Sequence, residues 1–250
     1  PTLRSQLVQV ALFNANTAGK LALTRKETVT YSGASTDVPA LVGQTCPDLV
    51  YPNFEDWGFA KVVLDATSFA TARTQLSNIE DPMLRSMIWQ SLTDGLRDSR
   101  LSLEDYTPAT LANISKAKDY TLLRQALGNI GTAKGYLRLF APGSALDRRL
   151  SADMEKTVWT GLLADRDNRD RARSWLDTYI NLASSDEAIA RLGGLLDGKV
   201  DAAGVEIDQD VRWQIIEQLN YLAAPGSEAL IAKEQARDKS ESGQLSALAS

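Results

Sequence analysis

The hydrophobic period of this chain changes once, near Asp65, and that change restricts its fold more than any other feature. Before Asp65 the apolar residues come in short alternating runs. Leu7, Gln9 and Ala11 interleave with Val8, Val10 and Leu12 inside the stretch 3–13, and residues 14–19 (NANTAG) form a turn cluster. Residues 21–23 and 28–31 continue strand-like until Ser32-Gly33 breaks the pattern. Residues 38–42 and 49–51 are short apolar pieces fenced by Gly43, Pro47 and Pro52, and 59–64 reads as a last strand. Short strands separated by turns every ten or so residues predict a small β-sandwich. At about 65 residues it would bury little surface alone, so it is expected to lean on a neighbour.

After Asp65 the period becomes helical, and nine or ten amphipathic helices are expected. Asp81-Pro82 is an N-cap followed by proline at the first helical position. It opens a helix to about Arg97 with Leu84, Ile88, Leu92 and Leu96 on one stripe. Ser102–Asp105 and Ser184–Glu187 resemble capping boxes. Residues 120–140 make one helix or two, because Gly128, Gly131 and Gly135 weaken a single one. Further helices are expected over 145–163, 169–182, 186–196, 209–222 and 227–239, with a last piece over 243–250. The fold class is therefore α+β. A β-sandwich domain over 1–65 precedes an all-α domain over 66–250 built of stacked antiparallel helical hairpins, like a HEAT or armadillo array. No low-complexity linker separates the two, so they should pack together.

Composition removes whole classes of function. The 250 residues contain no histidine. Imidazole supplies most general acid–base chemistry near neutral pH and most protein zinc ligation. A Ser-His-Asp triad, a Cys-His pair and an HExxH zinc helix are thus impossible within this chain. Acidic residues outnumber basic ones 32 to 27 with both signs interspersed, which argues against a nucleic-acid partner. No run approaches the roughly 18 apolar residues of a membrane span, and the opening residues lack a signal-peptide pattern. A chain that opens on Pro1, without an initiator Met, looks cut from something longer. The single cysteine, Cys46, excludes an intrachain disulfide and favours a reducing compartment such as the cytoplasm, while a periplasmic location is also compatible.

Several motifs have plainer readings. Residues 165–170 (DRDNRD) resemble a calcium loop, but Arg169 stands at the fifth ligand position and Asp170 where glycine is needed. A helix start rich in ion pairs fits better. The acids from Asp197 to Asp210 are spaced irregularly around Lys199. Gly198 is expected to cap the preceding helix, and Asp208 or Asp210 the next. Ser115-x-x-Lys118 matches the serine acyl-enzyme pattern without its companion motifs. Asn113-Ile114-Ser115 is a chance-grade glycosylation sequon. Of the five tryptophans, Trp89, Trp159, Trp175 and Trp213 fall on amphipathic helices and are expected in the core, whereas Trp57 precedes Gly58 at a turn. Arg212, beside Trp213, either pairs with a helix-start carboxylate or faces a cavity shared with another domain. No phosphate-binding glycine loop is present.

The segment 47–65, PDLVYPNFEDWGFAKVVLD, resembles the aminopeptidase N family of zinc metallopeptidases (gluzincins), in which a segment of the form P-D-L-x-x-x-N-x-x-D-x-x-Y-A-K-x-x-L-D closes a small β-sandwich before the C-terminal helical domain. Residues 38–43 resemble the family's preceding strand and loop. WQSLTDGLRDSRLS from Trp89 resembles its second or third helix, and LLDGKVDAAGVEIDQDVRWQIIEQL and EALIAKEQARDKSESG its late helices, as in the bacterial branch. Asn53, Asp56, Gly58, Lys61 and Asp65 carry the signature and are expected to be structural.

The resemblance implies a parent enzyme that removes N-terminal residues from peptides. Its zinc, general-base glutamate and amine-gripping residues would lie upstream of Pro1, leaving no catalytic residue, metal ligand or cofactor in this chain. The upstream catalytic domain of the same polypeptide would be its partner. The helical domain would close over that domain and restrict peptide access, with Arg212 the candidate for facing the chamber. It also implies truncation at both ends, since the family's helical domain continues beyond the equivalent of Ser250. Two other readings compete: a helical-repeat protein-interaction module, and a carbohydrate-binding β-sandwich with a helical appendage.

Overall fold

The computed structural model describes residues 4–114, 116–117 and 119–249. Among them lie three β-strands and ten α-helices, the strands all N-terminal. Strand β1 (Gln6–Ala15) pairs antiparallel with β2 (Leu21–Tyr31) on one side and β3 (Leu49–Tyr51) on the other, giving the order β2-β1-β3. The two segments expected at 21–23 and 28–31 are one continuous strand. Between the pairs Leu12↔Arg25 and Phe13↔Leu23 the register shifts, so Thr24 is the extra residue of a bulge; its hydroxyl donates to the Leu12 carbonyl at 3.0 Å.

Two expected strands are not strands. Residues 38–42 contain a 3-10 turn, Pro39–Leu41, because Pro39 has no N–H to give a ladder and Gly43 turns the chain at φ +77°. Residues 59–64 also pair with no strand among the described residues. β3 occupies the free edge of β1 at residues 11–13, and the chain then turns back on itself at Gly58. The sheet is thus one layer, with no second sheet facing it among the described residues, and α1 (Ala66–Gln75) packs against β3.

The chain forms two compact units, 1–129 and 130–250, divided within α4 (Tyr120–Phe140). The first holds the sheet, α1, α2 (Pro82–Arg97) and α3 (Leu103–Ile114). Its helices begin where their caps dictate. Asp65 accepts from the Thr67 and Ser68 amides, and Asp81 from the Met83 amide ahead of Pro82. Ser102 accepts from the Asp105 amide at 3.1 Å and gives its hydroxyl proton to the Asp105 carboxylate, so half of a capping box is made.

The second unit holds the later part of α4, then α5 (Ala145–Ala164), α6 (Arg169–Leu182), α7 (Asp186–Leu196), α8 (Gln209–Tyr221), α9 (Ser227–Arg237) and α10 (Glu241–Ala249). Neighbours in sequence pack together: α5 on α6, α7 on α8, α8 on α9. α5 and α6 pack tightly: a Cβ on Gly161 would lie 2.6 Å from the buried Trp175 ring. Ser185, not Ser184, caps α7, and Asp208 caps α8, while Gly198 follows α7 at φ +69°. α4 is one helix: its stripe of Leu123, Leu127, Ile130 and Leu137 is buried, and that burial outweighs its three glycines.

Candidate functional site

The signature residues are drawn together where the sheet joins the helices. After β3 the chain makes a 3-10 turn, Phe54–Asp56, and Phe54 packs edge-on against Phe13 of β1 at 5.7 Å. Asn53, 3% exposed, spans the turn: its Oδ1 accepts from the Gly58 amide and its Nδ2 donates to the Gly58 carbonyl, both at 2.8 Å. A third bond runs from Nδ2 to Asp56 at 3.2 Å. This amide clamp holds Glu55 and Asp56 in the left-handed region, at φ 63° and 54°. Gly58 must be glycine for steric reasons, since an added Cβ would stand 2.7 Å from Val8 Cγ1. Lys61 reaches both carboxylate oxygens of Asp98 at 2.9 Å and holds that carboxyl below its usual range.

Asp65 closes the segment. Besides capping α1 it accepts from the Ser68 hydroxyl at 2.6 Å, and that hydroxyl accepts from the Val50 amide of β3 at 2.8 Å. Burial opposes its ionisation, but the Ser68 and Thr67 bonds outweigh it and hold the carboxyl low. Asn53, Asp56 and Gly58 thus fix the turn, Lys61 ties the segment to Asp98 at the end of α2, and Asp65 fastens β3 to α1.

A cleft of about 250 Å3 opens beside them, lined by Tyr51, Asp56, Lys61, Asp94 and Gln125 among others. The Tyr51 hydroxyl is used internally, 3.0 Å from Ser91 Oγ and 3.2 Å from the Met87 carbonyl, and burial pushes its phenol up to about 12. It is neither a base nor a nucleophile near neutral pH. Trp57 and Phe59 project from the same segment, 49% and 102% exposed.

In the second unit Arg212 is held by Glu234: Nε donates to Oε1 at 2.8 Å and Nη2 to Oε2 at 2.6 Å, with Nη1 on the Leu196 carbonyl at 3.1 Å. Glu234 is 2% exposed at its side chain and also accepts from Gln209. The Arg212 bond is the main reason its carboxyl lies below the usual range. The partner is thus a late-helix carboxylate rather than the helix-start acids Asp208 and Asp210. Asp208 instead takes Arg173 at 2.9 Å.

A second buried network escaped sequence reading. Lys134 donates to Ser151 Oγ at 2.5 Å and Ser184 Oγ at 2.9 Å, with Asp147 at 3.4 Å. Glu155 accepts from the Ser184 and Ser185 amides at 2.8 and 3.1 Å, where α7 begins. Burial depresses the Lys134 ammonium, and Asp147 pulls it back up. The legible signal was position: Lys134 follows Ile130 by one turn on an apolar stripe, and Glu155 lies between Met154 and Val158.

The remaining motifs resolve plainly. Asp165 binds Arg171 and the Trp175 indole at 2.9 and 2.7 Å, so the calcium-like segment is an ion-paired helix start. Asn113 is buried, its amide donating to the Ala72, Arg73 and Ala109 carbonyls, which leaves it closed to glycosylation. Ser115 and Lys118 lie outside the described residues. Trp89, Trp175 and Trp213 are buried; Trp159 is partly exposed and carries the Arg191 guanidinium 4.5 Å from its ring. No helix among the described residues is long and apolar enough to cross a membrane.

The chain has no histidine, Cys46 is exposed, and no three of His, Cys, Asp and Glu gather to hold a metal among the described residues.

The family model described as the ERAP1-like C-terminal domain matches residues 49–250. Aminopeptidase N of Streptomyces lividans is 28% identical over 244 residues, covering 98% of this chain. The chain spans 28% of that protein's length.

Proposed function

Because the chain belongs to the ERAP1-like C-terminal domain family, as the C-terminal region of an aminopeptidase N family enzyme, we propose that it is the accessory part of a zinc-dependent aminopeptidase. On this reading an upstream domain of the same polypeptide holds the zinc and cleaves N-terminal residues from peptides. The present region closes over that domain and limits which peptides enter. The observation that carries it is collinearity: similarity to an aminopeptidase runs through 98% of the chain, strand-rich segment and helices together.

The role assigned here is shape. Two modules without reacting groups aid hydrolysis by excluding water and orienting substrate. The functional division follows the period change, with 1–65 a small sheet module and 66–250 a hairpin array. Packing of α5 on α6 and of α7 on α8 supports the array. Arg212 remains the proposed chamber-facing cation. Its ties to Glu234 and Leu196 mean that any substrate contact is made by a guanidinium already fixed in place.

The test uses the full-length parent protein. Zinc content by mass spectrometry and release of N-terminal residues should both be lost on chelation, and short peptides should be cleaved much faster than a folded protein bearing the same N-terminal residue. No chelator-sensitive exopeptidase activity would defeat the parent assignment. Equal rates on the two substrates would defeat the enclosure.

A further inference from the structure

The first unit holds a larger cavity, of about 390 Å3, lined by other α2 residues than the signature cleft. Its walls are the segment 76–80, the α2 residues Arg85 and Trp89, the α3–α4 connection at Lys116, Leu122 of α4, and Lys20 from the β1–β2 turn. The volume falls in the lower range of small-molecule pockets.

Its chemistry is two-sided. Leu76, Ile79 and Leu122 supply a buried apolar wall. Around it stand three cations, Lys20, Arg85 and Lys116, against one carboxylate, Glu80, in a chain whose net charge is −5. Glu80 is already bound to Lys20. Arg85 is pre-oriented, its Nη1 donating to the carbonyls of Ile79 and Glu80, and among the described residues neither it nor Lys116 has a carboxylate partner.

A second observation is independent of the charges. Trp89 is 3% exposed and lines the cavity, yet its indole N–H donates to no acceptor among the described residues. The N–H atom retains solvent access, so it is open to a ligand.

We propose that this cavity binds a small carboxylic acid with an apolar body, the carboxylate meeting Arg85, Lys116 and the Trp89 N–H and the body lying on Leu76, Ile79 and Leu122. Charge-assisted bonds to an arginine and a lysine select an anion, and the apolar wall selects against one without a hydrophobic part. The inference goes beyond the aminopeptidase reading and does not depend on it.

Isothermal titration of the full chain with 4-phenylbutyrate, its neutral amide and inorganic phosphate tests it. Saturable binding of the carboxylate is expected, with the amide and phosphate each weaker by about tenfold or more, the effect of losing one charge-assisted bond or the apolar contact. Lys116→Glu, at an exposed position, should weaken 4-phenylbutyrate by about tenfold or more while leaving the thermal midpoint unchanged. Trp89→Phe keeps the ring and should weaken it less. Undiminished binding to Lys116→Glu, equal binding of amide and acid, equal binding of phosphate and acid, or no binding at all would each overturn the proposal.

Discussion

Gly161 and Arg212 show how much a single position carries in this protein, and why its type matters. Glycine inside α5 is unfavourable by about 1 kcal/mol relative to alanine. Here that disadvantage is outweighed, because a methyl at 161 would sit 2.6 Å from a buried indole whose ring cannot bend away. Overpacking of this kind costs about 1–3 kcal/mol, so Gly161→Ala should lower stability to chemical denaturation despite its better helix propensity. Arg212 is a converse case. Removing it leaves the buried Glu234 only Gln209 and the more distant Arg237, at 3.7 Å, and Arg212→Ala should cost about 3 kcal/mol. Replacing both partners, Arg212→Met with Glu234→Leu, should recover most of that loss in the same denaturation assay, because no orphan charge remains. A double variant as unstable as the single one would mean that Leu196 and Gln209, not the pair, carry the effect.

At the scale of elements the joint between β3 and α1 concentrates the signature residues. Asp65 serves two elements at once, as N-cap of α1 and, through Ser68, as anchor of the Val50 amide. Losing an N-cap alone costs about 1 kcal/mol. Asp65→Ala should exceed that cost because the Ser68 hydroxyl is freed, whereas Asp65→Asn keeps an acceptor and should lose less. Thermal midpoints of the two variants give the comparison. α4 offers an opposite prediction. A Cβ on Gly131 meets nothing within 4 Å and the position is exposed, so Gly131→Ala should raise stability by about 0.5–1 kcal/mol. The same change at Gly58 should be strongly unfavourable, since the Asn53 clamp and Val8 leave it no room.

For the molecule as a whole the carboxylates set the pH range of stability. Asp65, Asp147, Asp208 and Glu234 all titrate below their ordinary values. Burial opposes ionisation of the three aspartates, but amide, hydroxyl and cation partners outweigh it, and for Glu234 the Arg212 bond leads. A carboxyl whose folded value is depressed binds its proton more readily when unfolded. Its stabilisation is therefore complete above the unfolded values, 3.8 for aspartate and 4.5 for glutamate, and is lost as pH falls through the folded ones. The thermal midpoint should hold steady above about pH 5 and drop steeply below about pH 4. Glu234→Gln should begin lower and flatten that acid limb; an unchanged slope would show that Glu234 does not titrate with folding.

The α+β class, the switch at Asp65 and most helix starts were legible in the sequence, because caps, prolines and period act within a few residues. The Asp81-Pro82 start, the Asp208 cap and Gly198 after α7 are local chemistry that no distant contact needed to decide. The missing histidines likewise excluded whole reaction classes before any fold was known. Tertiary structure decided the rest, wherever a residue's meaning depends on a partner far along the chain. Residues 59–64 have strand composition but pair with no strand among the described residues. Arg212 met Glu234, 22 residues on, rather than a nearby aspartate. Lys134 and Ser184, 50 residues apart, became neighbours; the period could mark Lys134 as lying on an apolar stripe, but not name its partner. Propensity is written residue by residue, but burial and hydrogen-bond partners exist only once the chain has closed on itself.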